Sequence, residues 1–121
     1  MIAGAQLYPL LSPLVNQRVY PMVVPEASIK NTPYIVWQVI SDVPENTIDG
    51  YTGHEWVRVQ IDVYDKSYDA CVQLSHDVVA TISNGIKTTD YYGTEQLYEN
   101  EARLFRQSID IGLWQTTPTT L

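Results

Sequence analysis

The chain has 121 residues and a mass of 13.7 kDa, the length of one ordinary domain with one core. Fourteen Asp and Glu against seven Lys and Arg give a formal charge of −7 and a pI near 4.5, which opposes any electrostatic grip on nucleic-acid phosphates. With 45% hydrophobic and 17% charged residues wholesale disorder is excluded, and the longest unbroken apolar runs fall far short of the ~20 residues that cross a bilayer.

Ala5, Leu7, Leu10, Leu11, Leu14 and Val15 lie at spacings compatible with one helical face, and Pro9 and Pro13 interrupt it, which predicts a short or broken helix over 3–15. Pro21, Pro25 and Pro33 mark an extended connector from Tyr20 to Pro33, with a short edge strand at Arg18 to Met22. Tyr34 to Ile40 is β-branched and aromatic and apolar on both alternating faces, the pattern of a central strand. A loop of about a dozen residues, rich in turn formers (Asn46, Asp49-Gly50, Gly53), is expected next. That polar loop, Val43 to Glu55, should be mobile in an isolated subunit and ordered in an assembly.

From Glu55 to Tyr64 the chain alternates, Val57, Val59, Ile61 and Val63 on one face and Trp56, Arg58, Gln60, Asp62 and Tyr64 on the other. The simplest pairing with the preceding strand is a long antiparallel hairpin. Asp65 or Ser67 caps a helix running to about Asn84, with Tyr68, Cys71, Val72, Ser75, Val78, Val79 and Ile82 on one stripe and Asn84-Gly85 as a left-handed stop. Two strands follow, Thr89 to Glu99 and Ala102 to Gln115, joined near Asn100-Glu101. In the second, Phe105, Gln107, Ile109, Ile111 and Leu113 face one way and Arg106, Ser108, Asp110 and Trp114 the other. Residues 115–121 are expected to form a flexible tail. Together these elements predict a single α+β domain over 1–121, with a mainly antiparallel four- to five-stranded sheet and helices packed on one face.

Chemistry is sparse. His54 and His76 have no companions at metal-ligand spacing, and Cys71, the only cysteine, lies on the apolar stripe of the helix, where it reads as a small core residue. One cysteine gives no disulfide framework, and the N-terminus lacks a basic leader, so folding in a reducing cytoplasm is expected. Asp62 and Asp110, at matching places on two strands, are the one pair of carboxylates that could meet as an acid and a base; their neighbours Arg58, Gln60, Arg106 and Ser108 describe a polar face with ion pairs. No catalytic, metal or cofactor site is expected. Nine Tyr and three Trp against one Phe favour half-buried aromatics with a polar tip, which suits surfaces that meet other proteins.

The segment Thr47-Ile48-Asp49-Gly50 followed by Trp56 to Ala70 resembles the tail-completion proteins of tailed bacteriophages, also called tail terminator or head-tail joining proteins. The likeness extends to Arg18-Val19-Tyr20-Pro21 and Pro33 to Gln38 upstream, and to Leu97-Tyr98-Glu99, Arg103 to Arg106 and Ser108 to Trp114 downstream, covering about residues 7 to 115. The resemblance implies a non-enzymatic virion protein at the tail-head junction. It implies an oligomeric, usually hexameric ring that caps the tail tube, receives the head connector and lets DNA pass through its lumen. An acidic wall would repel phosphates and let the duplex slide. The alternatives are another neck or minor tail component such as a head-closure protein and, from a different class, a small α+β enzyme or ligand-binding domain using Asp62 and Asp110. The expected partners are copies of the chain, the tail tube protein and the connector, with no membrane; candidate interface residues are Ile48, Tyr51, Trp56, Tyr91 and Tyr92. Trp56 is the preferred ring anchor, since its indole should point away from the core.

Overall fold

In the computed structural model, which describes residues 1–28 and 30–116, α1 (Ala3–Leu11) packs with α2 (Tyr68–Gly85) on one face of a five-stranded sheet. The strands are β1 (Val19–Pro21), β2 (Tyr34–Thr47), β3 (Gly50–Asp65), β4 (Thr89–Glu99) and β5 (Leu104–Thr116), in the order β1-β2-β3-β5-β4. All neighbours are antiparallel except β1, which lies parallel to β2 at Ile35 to Trp37. The single α+β domain and its mainly antiparallel sheet match the expectation.

The inner, helix-covered face follows from alternation. Val57, Val59, Ile61 and Val63 of β3 and Ile109, Ile111 and Leu113 of β5 are buried against Leu7, Leu11, Cys71, Leu74, Val78 and Ile82 of the helices. Each fully buried aliphatic contributes roughly 1.5–3 kcal/mol relative to its exposed state. The first helix breaks as predicted: Ser12–Val15 tighten into a 3-10 turn with Pro13 at its start and Asn16 left-handed at φ 51° behind it. Ser67 caps α2, its hydroxyl accepting from the Ala70 amide at 3.4 Å.

The far end of α2 differs from the expected left-handed stop. Gly85 is the last helical residue, and Ile86 continues in extended conformation at φ −119°. A Cβ on Gly85 would lie 2.6 Å from the Leu10 side chain, which would have to shift, so the glycine eases the crossing of α1 over α2 rather than serving backbone handedness. The helical stripe also differs from the one the spacing suggested, since Leu74 is buried and Tyr68 is exposed.

The largest departure lies between β2 and β3. Residues 43–55 are the distal part of a continuous ribbon, paired at Val43 with Trp56, Asn46 with Tyr51 and Thr47 with Gly50. Only Ile48-Asp49 form the turn, and Gly50 takes φ 107°, a conformation that favours glycine. The strand expected to be central, β2, is second in the order, and β1 lies beside it at only three residues, so beyond Trp37 its outer edge is open. The last two strands are joined over 100–103, with Arg103 at φ 55°, and β5 runs on to Thr116, paired with His54. Of the expected flexible tail, Gln115 and Thr116 therefore belong to a strand, and residues 117–121 lie outside the described part of the chain.

Candidate assembly interface

The outer face of the sheet carries no helix, and its side chains divide into three zones. At one end Tyr34, Val36 and Leu104 are buried beneath Tyr20, Val24 and Tyr64, with Tyr34 and Tyr64 stacked at 4.9 Å. Burial pushes the Tyr64 hydroxyl up to about 12 and raises that of Tyr34. Both stay neutral, as packed aromatics.

The middle zone is ionic. Arg106 donates to Asp62 at 3.1 Å and to Glu99 at 2.9 Å, and Arg58 pairs with Asp110. Burial opposes the Arg106 charge, while the hydrogen bonds to Glu99 and Asp62 outweigh it and hold the guanidinium protonated. Asp62 also accepts from Gln60 at 3.0 Å. The two aspartates are thus held in separate ion pairs, each by its own arginine, and the expected polar face is what the strands build.

The third zone is aromatic. Trp56 sits edge-on to Trp114 at 5.2 Å, and Trp114 stacks on His54 at 4.7 Å. The Trp56 indole donates to the Tyr92 hydroxyl at 3.1 Å, and Arg58 lies 4.4 Å above the Tyr92 ring. Two backbone features bring these side chains together. A bulge between Tyr91 and Gly93 turns Tyr92 onto the outer face, and Gly112 leaves room for the indole, since a Cβ there would lie 2.5 Å from it. Trp56 therefore points away from the core as expected, and it is half-buried by neighbours from β4 and β5 rather than free. Tyr91, level with Ile111, bonds Thr94 and belongs to the opposite side of the sheet, so the tyrosine pair does not act as one patch.

The remaining candidates, Ile48 and Tyr51, lie on the ribbon. Ile48 is fully exposed at the turn and Tyr51 is half exposed. Val39, Ile40 and Val43 are exposed as well, which makes the ribbon an arm with apolar side chains on a protein that buries none of them. Its tip is braced by Thr52, whose hydroxyl donates to the Glu45 carbonyl at 3.1 Å.

At the root of the arm Glu55 is buried, accepting from Gln115 at 3.2 Å, and Gln115 in turn accepts from the Ala3 amide at 3.1 Å, capping α1 from β5. The hydrogen bond between Asp42 and Glu55 raises the Asp42 carboxyl and lowers that of Glu55, so Asp42 is the member of the pair that binds a proton more readily. Neither residue carries a signal in an alternating pattern, and the network was not foreseeable from the sequence.

Cys71 is buried, its thiol directed at the Val63 and Phe105 carbonyls at 3.3 and 3.4 Å, and burial pushes it up to about 11. Such a thiol is a poor nucleophile at neutral pH. His76 is exposed on α2. Among the described residues no cluster of His, Cys, Asp or Glu could hold a metal ion, and no helix is long and apolar enough to cross a membrane.

A helix-backed sheet with an unpartnered aromatic face and a projecting arm defines a small protein built for contact with other proteins. Residues 6–116 match the family model described as tail completion protein gp17, and the chain belongs to that family. Its role is therefore structural, in a bacteriophage tail. The fold is similar to that of a chain in the virion of a native gene transfer agent particle, with a TM-score of 0.63 and 13% identity over 91% of each chain. No curated protein matches it.

Proposed function

We propose that the protein completes the phage tail as one subunit of a ring, hexameric in the finished particle, that caps the tail tube and joins it to the head connector. It is a non-enzymatic virion component of the tail-head junction, and it meets its partners in the host cytoplasm during assembly. One observation carries this reading beyond the family: the 39–48 part of the arm leaves Val39, Ile40, Val43 and Ile48 exposed among the described residues. Such apolar surface is covered in assemblies. The formal charge of −7 fits a channel through which DNA slides without being held. Trp56, Tyr91 and Tyr92 would then border subunit contacts, Trp56 through the edge that Tyr92 and Trp114 leave open.

Electron microscopy of the purified protein mixed with isolated tail tubes tests this. Six-fold rings at one tube end are expected. Decoration along the tube wall, or no binding to tubes at all, would sink the proposal.

A further inference from the structure

The arm can meet a partner in two ways, by strand pairing along its edge or by side-chain insertion at its tip. Pairing is discouraged. The open edge of β2 is interrupted by irregularities at Val39/Ser41 and Pro44/Asn46 and carries Pro44, and the other open edge of the sheet, β4, is bulged between Tyr91 and Gly93. Bulges and edge prolines are devices that prevent strands from adding to a sheet. The tip is otherwise equipped: a fully exposed Ile48, with Asp49 and Glu45 beside it, neither of which has an ion-pair partner among the described residues. No Lys or Arg lies between 38 and 53, so the only charges on the arm are acidic.

Two open apolar grooves among the described residues are candidates to receive it. One, on the outer face, has a volume of about 380 Å³ and is lined by Met22, Val23 and Val24 together with Glu99 and Glu101. Its acidic rim repels an acidic arm, although Arg106 holds one of the two carboxylates. The other, about 340 Å³, lies between α1 and the end of α2, lined by Ala5, Pro9, Leu10 and Ile86 with Lys87 at its rim. Lys87 has no ion pair among the described residues. Sign and polarity select the second groove.

From this complementarity we infer that the arm tip of one copy seats in the α1/α2 groove of the next, Ile48 entering between Pro9, Leu10 and Ile86 and Asp49 or Glu45 facing Lys87. The inference rests on the ring reading and names the contact that would build it. Because arm and groove are different surfaces, the contact is head-to-tail, the kind that closes into a ring when the rotation allows. Each groove is filled by a neighbour's arm and each arm fills one groove. The ionic part should weaken with salt while the apolar part persists.

A disulfide trap reads this directly. The double variant Ile48→Cys, Pro9→Cys is oxidised at high protein concentration, with Ile48→Cys alone as control and an Ile48→Cys, Ala5→Cys pair as a second geometry. The buried Cys71 does not take part. A ladder of dimer, trimer and larger species on a non-reducing gel, collapsing on reduction, is expected for at least one pair, while the control stops at dimers. In the trapping variant Lys87→Asp should reduce the ladder several-fold and a further Asp49→Lys restore it. Oligomers seen by light scattering without a ladder in either pair would overturn the docking and leave the ring reading standing. Neither oligomers nor ladder would overturn both. A control that dimerises as fast as the pairs join would point to tip-to-tip contact and overturn the head-to-tail arrangement.

Discussion

β2 and β3 each serve two environments along their length. Over residues 34–37 and 57–63 they are flanked by other strands and mostly buried, whereas over 39–47 and 50–52 their strand pairing is with each other and the residues are exposed. Strand pairing continues through both halves, with two register shifts in the distal one. The difference lies in what covers the side chains, and it separates two kinds of selection on one hairpin: the proximal half is fixed by packing, and the distal half is free to be shaped by a partner.

Truncation should expose that contrast most strongly. Ile61→Ala removes a fully buried side chain from the middle of the core, and large-to-small changes at such sites cost about 2–5 kcal/mol. Ile48→Ser at the tip should change stability by less than about 0.5 kcal/mol, as for surface sites without special contacts. Urea titration of both variants measures the pair. Similar losses would mean that the arm is packed against its own subunit.

The outer face gives a second, smaller contrast between its arginines. Arg106 holds the buried Asp62, and Arg106→Ala should cost about 2–3 kcal/mol because the carboxylate loses its counter-charge and keeps only the neutral Gln60 donor. Arg58 and Asp110 are substantially exposed, so Arg58→Ala should cost about 1 kcal/mol or less. Thermal melts in low and high salt distinguish them: the Arg58 effect should shrink with salt and the Arg106 effect should not.

At Gly112 the test concerns the aromatic zone alone. A methyl at this position meets the Trp56 ring and the Tyr92 hydroxyl, so Gly112→Ala should displace the indole and cost about 1–3 kcal/mol, with a shift in tryptophan fluorescence. A stable variant with unchanged emission would show that the Trp56–Tyr92 contact is loose.

How legible each half was follows from the same contrast. α2 and the two faces of β5 could be read from the sequence because one side of each is buried and periodicity records burial. The arm read as a loop because periodicity has nothing to record where both faces are open, and because Asn46, Asp49-Gly50 and Gly53 are turn formers. The Asp49-Gly50 signal did mark a turn, of two residues instead of a dozen. Gly85 misled for a related reason: a glycine after an asparagine signals a left-handed stop unless another helix lies against it, and Leu10 is far away in sequence. Among the candidate interface residues, Trp56 was correctly turned outward. Its contact with Trp114 follows from their direct pairing across β3 and β5, whereas that with Tyr92 depends on a bulge in β4 and on the space above Gly112, which are properties of neighbouring strands.

The smallest expected effect concerns pH at the arm's root, and its sign comes from two opposed shifts. Asp42, raised by its hydrogen bond with Glu55, binds its proton more tightly in the folded chain; its contribution is present at low pH and is lost as pH rises through the raised value. Glu55, lowered by the same bond, contributes above the ordinary carboxylate range and loses that contribution as pH falls through its lowered value. The root should therefore be most firmly closed at mildly acidic pH and loosen on both sides. Asp42→Asn replaces the shared proton with a permanent amide donor, which should abolish the loosening above the acidic range and leave the one below it. Hydrogen exchange of the Val43 and Trp56 amides, corrected for the intrinsic pH dependence of exchange, follows this directly. If the asparagine variant loosens towards neutral pH as the parent does, the proton between Asp42 and Glu55 is not what closes the root.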